Sequence, residues 1–312
     1  MYDTSDFENF YNTHLAPSSK QLRGDAKRVD SWHLIAALAG LAILATAFGF
    51  ASGYFSGATT GLLFGLLIAV FVVACFKMGT QNNKFADDIK ATVISKIIDH
   101  LCPGVQYHPD SFIDAAEYKA SSLFRHYYDH YDGGDLVQGV IDTVPFRCSD
   151  LFTTFDFGRG QAPVFRGLFF SAKINPRFDG CTYIWPWDRV QLPASIMDEA
   201  YRLDPMPHVS DIHTGDSEFE NYFRVCSNTP KLAQEILSEK MMDNMLRLAK
   251  GIGRHIAFSF VAGRCYVAIT FNKDILEPTD YDPGDKIEMK IYYDTISLIP
   301  IVIKRLELKK LQ

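Results

Sequence analysis

The sequence predicts an α+β protein: an N-terminal transmembrane helical hairpin, then a cytoplasmic domain built on a largely antiparallel sheet with packed helices. Three observations predict it. Ser31 to Phe76 are 46 consecutive positions without Asp, Glu, Lys or Arg, whereas a soluble helix pair keeps a charged face. After them come short β-branched and aromatic runs broken by Gly, Pro, Asn and Asp, the pattern of strands. Those runs are followed by helices without strict βαβ alternation, which favours antiparallel pairing. The 312 residues are 47% apolar and 22% charged, which excludes a disordered or collagen-like chain, and a net charge of −6 argues against a nucleic-acid partner.

Residues 1–32 are read as a cytoplasmic N-terminal segment, 33–78 as the hairpin, 79–104 as a helical stalk and 105–312 as the soluble domain. One crossing needs about 20 apolar residues, so the charge-free block holds two. Leu34–Phe50 is the first and Gly61–Phe76 the core of the second. Between them ASGYFSGATT makes a turn, with Tyr54 and Phe55 as interfacial aromatics. Lys20, Arg23, Lys27 and Arg28 precede the first span and Lys77, Lys84, Lys90 and Lys96 follow the second. The positive-inside rule then places both termini in the cytoplasm, a multi-pass inner-membrane topology. A cleaved leader fits poorly, since 32 residues with five acidic groups precede the apolar part. Gly49, Gly53, Gly57, Gly61 and Gly65 recur four apart, which suits close packing of the two spans or a homodimer face.

In the stalk, Phe85, Ile89, Val93, Ile97 and Ile98 keep helical spacing until Pro103-Gly104. A further helix is expected over Asp110–His130. Strands follow at residues 137–148, 151–157, 164–174 and 181–187, then at 208–214 and 219–226, where Phe219 and Phe223 share one strand face. Pro230 to Lys250 reads as one helix with an Asn228 or Thr229 cap, closed by Gly251 and Gly253. Residues 255–271 alternate around Gly263-Arg264 as a hairpin, and 285–311 read as a final helix bent at Pro300.

Candidate chemistry is sparse. His126 and His130, four apart on the expected helix, could hold a divalent metal with Asp129 and Asp132 behind them, although H-E-x-x-H is absent; two surface histidines are the plainer reading. Trp185 and Trp187 could stack a ligand, or simply pack at a strand end. Asp280, Asp282 and Asp285 are spaced like calcium-loop oxygens but lack the closing Glu, so a solvated turn is expected. Six widely spaced cysteines without C-x-x-C suit reduced, buried thiols in a cytosol. No cofactor motif appears, and none is expected. Residues 1–32 carry −1 and 33–78 carry +1, leaving −6 on the rest; such a domain should be repelled by anionic lipid, so its bilayer contact is expected through residues 33–78 alone.

Four segments, Ser121–Ile141, Val164–Gly180, Asp216–Ser238 and His255–Pro278, together resemble a bacterial family known only as a domain of unknown function (number 3137). The resemblance implies a chain tethered by paired N-terminal spans and brings no activity with it. This chain departs from the family pattern at Ile275-Leu276-Glu277-Pro278 and Asn228-Thr229-Pro230. The leading functional expectation is a non-enzymatic scaffold that binds a protein partner at the inner membrane. A membrane-tethered metal-dependent hydrolase through His126 and His130, and a small-molecule or peptide sensor through Trp185 and Trp187, are the alternatives.

Overall fold

The computed structural model describes residues 4–53, 57–124, 127–175, 180–187, 209–273, 275–277 and 285–312. The chain divides into two units, Asp3–Lys96 with Glu277–Lys290 and Ile97–Leu276 with Ile291–Gln312.

The first unit is a long helical hairpin. Helix α1 (Thr4–Phe10), a π turn (Tyr11–Leu15) and α2 (Ala16–Ala51) follow without a break, with right-handed helical dihedrals at both junctions. The chain returns as α3 (Ala58–Ile89), runs through a second π turn (Lys90–Ile94) and enters α4 (Ser95–Leu101). The turn between α2 and α3 needs left-handed backbone, which Gly53 (φ 75°) and Gly57 (φ 96°) supply without a Cβ clash. Away from that turn the helices bury Phe7, Phe10, Leu15, Ile89, Val93 and Ile94, a conventional apolar seam.

The second unit is organised by one sheet. Its described strands are β1 (Gln106–His108), β2 (His130–Ile141), β3 (Val144–Asp156), β4 (Gln161–Lys173), β5 (Cys181–Pro186), β6 (Ser210–Asp211), β7 (Phe223–Ser227), β8 (Ile256–Val261) and β9 (Arg264–Thr270). They lie in the order β1-β2-β3-β4-β9-β8-β5-β7-β6, with every pairing antiparallel. The β8–β9 hairpin therefore sits between β4 and β5. Its turn, Ala262 (φ 48°) and Gly263 (φ 72°), has the paired positive φ values that match the strand twist. Gly167 of β4 lies so close to β9 that a Cβ would stand 2.1 Å from the Ile269 carbonyl oxygen.

Alternation divides the side chains between two faces. One face carries Leu151, Phe165, Phe169, Tyr183, Trp185 and Tyr266, packed with Ile113, Tyr118 and Leu123 from the segment before β2. The other buries Cys148, Phe170, Ile184, Phe258, Phe260 and Val267. The remaining described helices are α5 (Ala115–Ala120), α6 (Ser217–Tyr222), α7 (Pro230–Ile236), α8 (Glu239–Ile252) and α9 (Lys286–Arg305), with a final 3₁₀ turn at Leu308–Leu311.

The expected helix over Asp110–His130 is corrected. Asp114 does cap a helix, its carboxylate accepting the Glu117 N–H at 2.8 Å, but α5 ends at Ala120, Ser122 takes positive φ, and His130 already opens β2. Two serines follow Ala120, and the Ser121 hydroxyl donates to the Tyr118 carbonyl at 2.6 Å, a local bond that competes with continuation of the helix. The strand expected over 219–226 begins at Phe223, because Asp216 accepts the N–H groups of Glu218 and Phe219 and starts α6. Of the described part of the 208–214 run, Ser210–Asp211 pairs as a strand. The helix expected over 230–250 is two helices: Ser238 is extended (ψ 156°) and its hydroxyl accepts the Met241 N–H, restarting the chain as α8. Gly253 closes α8 in the left-handed region (φ 63°), as its position predicts. The final helix runs through Pro300 and stops at Arg305.

Candidate functional site

The feature that departs most from an ordinary soluble protein is the turn-proximal half of the helical hairpin. Asp30–Ala51 and Thr60–Gln81 are two stretches of 22 residues each, long and apolar enough to cross a membrane. At 1.5 Å per residue each spans about 33 Å, against a hydrocarbon core of roughly 30 Å. Only 22% of the first window and 6% of the second are buried, so neither is the core helix of a folded domain. Leu44, Phe48, Leu62, Leu66 and Phe76 are between 63% and 76% exposed. An apolar belt of this size in water would be a severe aggregation liability.

Where α2 and α3 meet, their contact uses small residues. Ala36, Ala39, Thr46 and Ala74 are buried, and a Cβ on Gly40 would touch the Phe71 ring at 3.6 Å. Gly49 is buried as well. Gly53 and Gly57 belong to the turn, and Gly61 and Gly65 have open space where a side chain would stand. The packing stripe of α2 thus runs through its alanines and Gly40, a spacing of three and four hidden among larger apolar residues. Tyr54 and Phe55 lie outside the described residues.

The other end of the hairpin is held by charges. Lys90, in the second π turn, has an 11% exposed side chain and donates to Glu277. Lys96 donates to Ser18 Oγ at 2.5 Å, and Lys286 to Glu8 at 2.5 Å. Burial of a lone ammonium is costly, so the Glu277 carboxylate is what allows Lys90 to sit there.

On the sheet the polar groups of one face converge on Glu117 of α5, only 10% exposed. Its carboxylate accepts from Arg147 Nη1 of β3 and Ser171 Oγ of β4, both at 2.6 Å, and lies 3.2 Å from Arg264 Nη2 of β9. One short helix is thereby tied to three strands. The Glu117 N–H, and after it the burial and the Arg147 charge, act on Asp114, with the net result of holding its carboxyl below the usual range. Sequence separations of 30 to 147 residues join this cluster, so no local motif announces it.

His130 stands on β2, 53% exposed, 3.8 Å from Asp132, so the helical spacing that paired it with His126 does not exist at that position; His126 itself lies outside the described residues, as do Asp280 and Asp282. Among the described residues no group of three His, Cys, Asp or Glu side chains is placed to hold a metal. Trp185 is buried, stacked on Tyr183 at 5.1 Å, and its indole N–H donates to the Leu123 carbonyl. Trp187 is 57% exposed with its indole N–H on the Glu220 carbonyl at 2.6 Å. The six cysteines are free thiols. Burial pushes Cys102 up to about 12, and Cys148 and Cys265 are likewise raised by burial, so none of these three is a ready thiolate at neutral pH.

A family model described as Protein of unknown function (DUF3137) matches residues 163–308, from β4 to the 3₁₀ turn. Three of the four segments that carry the resemblance fall inside it, and Ser121–Ile141 precedes it. None of the curated proteins matches the chain. Among solved structures, the crystal structure of the mycobacterial trehalose monomycolate transport factor A, TtfA, is similar at a TM-score of 0.32 and 10% identity, over 66% of this chain and 96% of its own.

Proposed function

We propose that this is a membrane-anchored protein of the bacterial inner membrane. Its two apolar helices cross the bilayer as a hairpin, and its antiparallel-sheet unit acts on the cytoplasmic side as a non-enzymatic module for a protein partner. The observation that carries the reading is the exposure of the apolar windows, only 22% and 6% buried. Lipid is the solvent in which those side chains are at low free energy. Both windows adjoin the same turn, so a hairpin crossing leaves both flanks on one side, and the lysines and arginines of those flanks favour the cytoplasm.

Alkaline carbonate extraction and paired C-terminal fusions test the reading. The full chain is expected in the membrane pellet, with a fused fluorescent protein bright and a fused alkaline phosphatase inactive. Release into the carbonate supernatant would overturn the anchor, and an active phosphatase would overturn the orientation.

A further inference from the structure

The protein carries a net charge of −6, yet one part of the second unit concentrates the opposite sign. Lys304 and Arg305 occupy the last turn of α9, Lys309 and Lys310 the 3₁₀ turn beyond it, and all four are exposed. Lys240 of α8 joins them from another helix. Lys240 donates to one oxygen of Glu307, and Lys310 reaches the other at 3.0 Å. Two cations thus bracket the Glu307 carboxylate, and Lys304, Arg305 and Lys309 stand within three residues of it along the chain.

Structural duties account for part of this. Lys304 and Arg305 complement the negative end of α9. Lys309, Lys310 and Lys240 lie outside that helix, and exposed pairs such as Lys240–Glu307 add little to stability. The side chains of Lys240 and Lys310 remain 64% and 68% exposed, so the charge stays presented to solvent. Leu306 and Leu308 are buried beneath and fix the backbone that carries the cations.

We propose that Lys240, Lys304, Arg305, Lys309 and Lys310 form a docking surface for the anionic headgroup layer of a lipid bilayer. The inference rests on the membrane-anchored reading above, because the anchor keeps anionic lipid at a high effective concentration beside the soluble unit. Charge complementarity selects the partner: clusters of four to eight Lys/Arg suffice to bind anionic lipid, each cation contributing while it is within a Debye length of the surface. The average charge of the unit opposes such contact, and its local clustering reverses the sign where it matters.

The test uses the full chain with a fluorophore at Gln312→Cys, mixed with vesicles whose headgroups carry a quencher. One set is zwitterionic and the other contains about 30% anionic lipid. Quenching is expected about threefold stronger on the anionic set and is expected to be lost in about 1 M salt. It should also be lost in a K304E/R305E/K309E/K310E variant whose thermal unfolding matches the parent. Flotation with both vesicle types but equal quenching would overturn the docking surface and leave the anchor standing. Flotation on anionic vesicles alone, released by salt, would overturn the anchor and support the surface. Salt-sensitive protection of the four cations by a copurifying acidic protein, indifferent to lipid charge, would overturn it in favour of a protein partner.

Discussion

Phe48 of α2 is 73% exposed and Phe169 of β4 is 0% exposed. The helical hairpin near its turn shows its large apolar side chains outward and keeps small ones inside; the sheet does the reverse. On the membrane-anchored reading proposed above, the same residue types obey one rule in both places, that apolar surface leaves water. The difference teaches that packing order reports the solvent: small-inside, large-outside is how helices pair when the surroundings are themselves hydrocarbon.

The contrast can be broken most sharply in the core. Phe169→Ala is expected to destabilise the sheet unit by about 3–5 kcal/mol, read by denaturant unfolding of the full chain in detergent. A loss below about 1 kcal/mol would mean that the two-sided burial of the sheet is not what holds it together.

Val70→Arg comes next. Val70 sits near the middle of the second apolar window and is 41% exposed. In a bilayer the charge costs about 2.5–3.5 kcal/mol and should shift the chain toward the carbonate-soluble fraction. On a water-facing helix the same substitution would leave stability within about 0.5 kcal/mol and improve solubility.

The buried thiols sharpen the comparison through pH. Cys102 stays neutral in the fold up to about 12, whereas in the unfolded chain it ionises near its ordinary value of 9.0. Its contribution is therefore complete below pH 9 and is lost as pH rises from there toward 12. The loss is on the order of 4 kcal/mol and should appear as a falling Tm, with Cys102→Ala flattening the slope. The smallest effect is expected at the break between α7 and α8, where Ser238→Ala removes the cap on Met241 and costs about 1 kcal/mol.

Much of the architecture was legible because its signals are local. The charge-free block, the Gly263 turn and the Gly253 cap each depend on a few adjacent residues. The errors share a cause. Over 110–130 the Asp114 cap signals a helix start, but the stop at Ala120 has no Gly or Pro to announce it, and Tyr118 packs on Phe165 and Phe169 from across the sheet. Over 219–226 the spacing of Phe219 and Phe223 fits a strand face and a helical turn alike, and the Asp216 cap decides for helix up to Tyr222. The Glu117 cluster could not be read at all, since its members come from one helix and three strands. Of the glycines spaced four apart, Gly49 is buried while Gly61 and Gly65 face open space within the chain, because recurrence four apart says that a face is smooth and leaves open what it touches.

The placement of β8–β9 inside the sheet has a consequence for how the chain must be made. Phe169 on β4 pairs with Ala268, about a hundred positions later, while Ile184 on β5 must wait for Phe258. During synthesis β1–β4 can zip up as neighbours, but β4 then ends in a bare, apolar margin until β8–β9, in about the last fifth of the protein, arrives to fill it. A ribosome stalled before residue 256 would hold a half-built sheet with a sticky rim, and a nascent chain already inserted in lipid would keep such rims from diffusing freely toward one another.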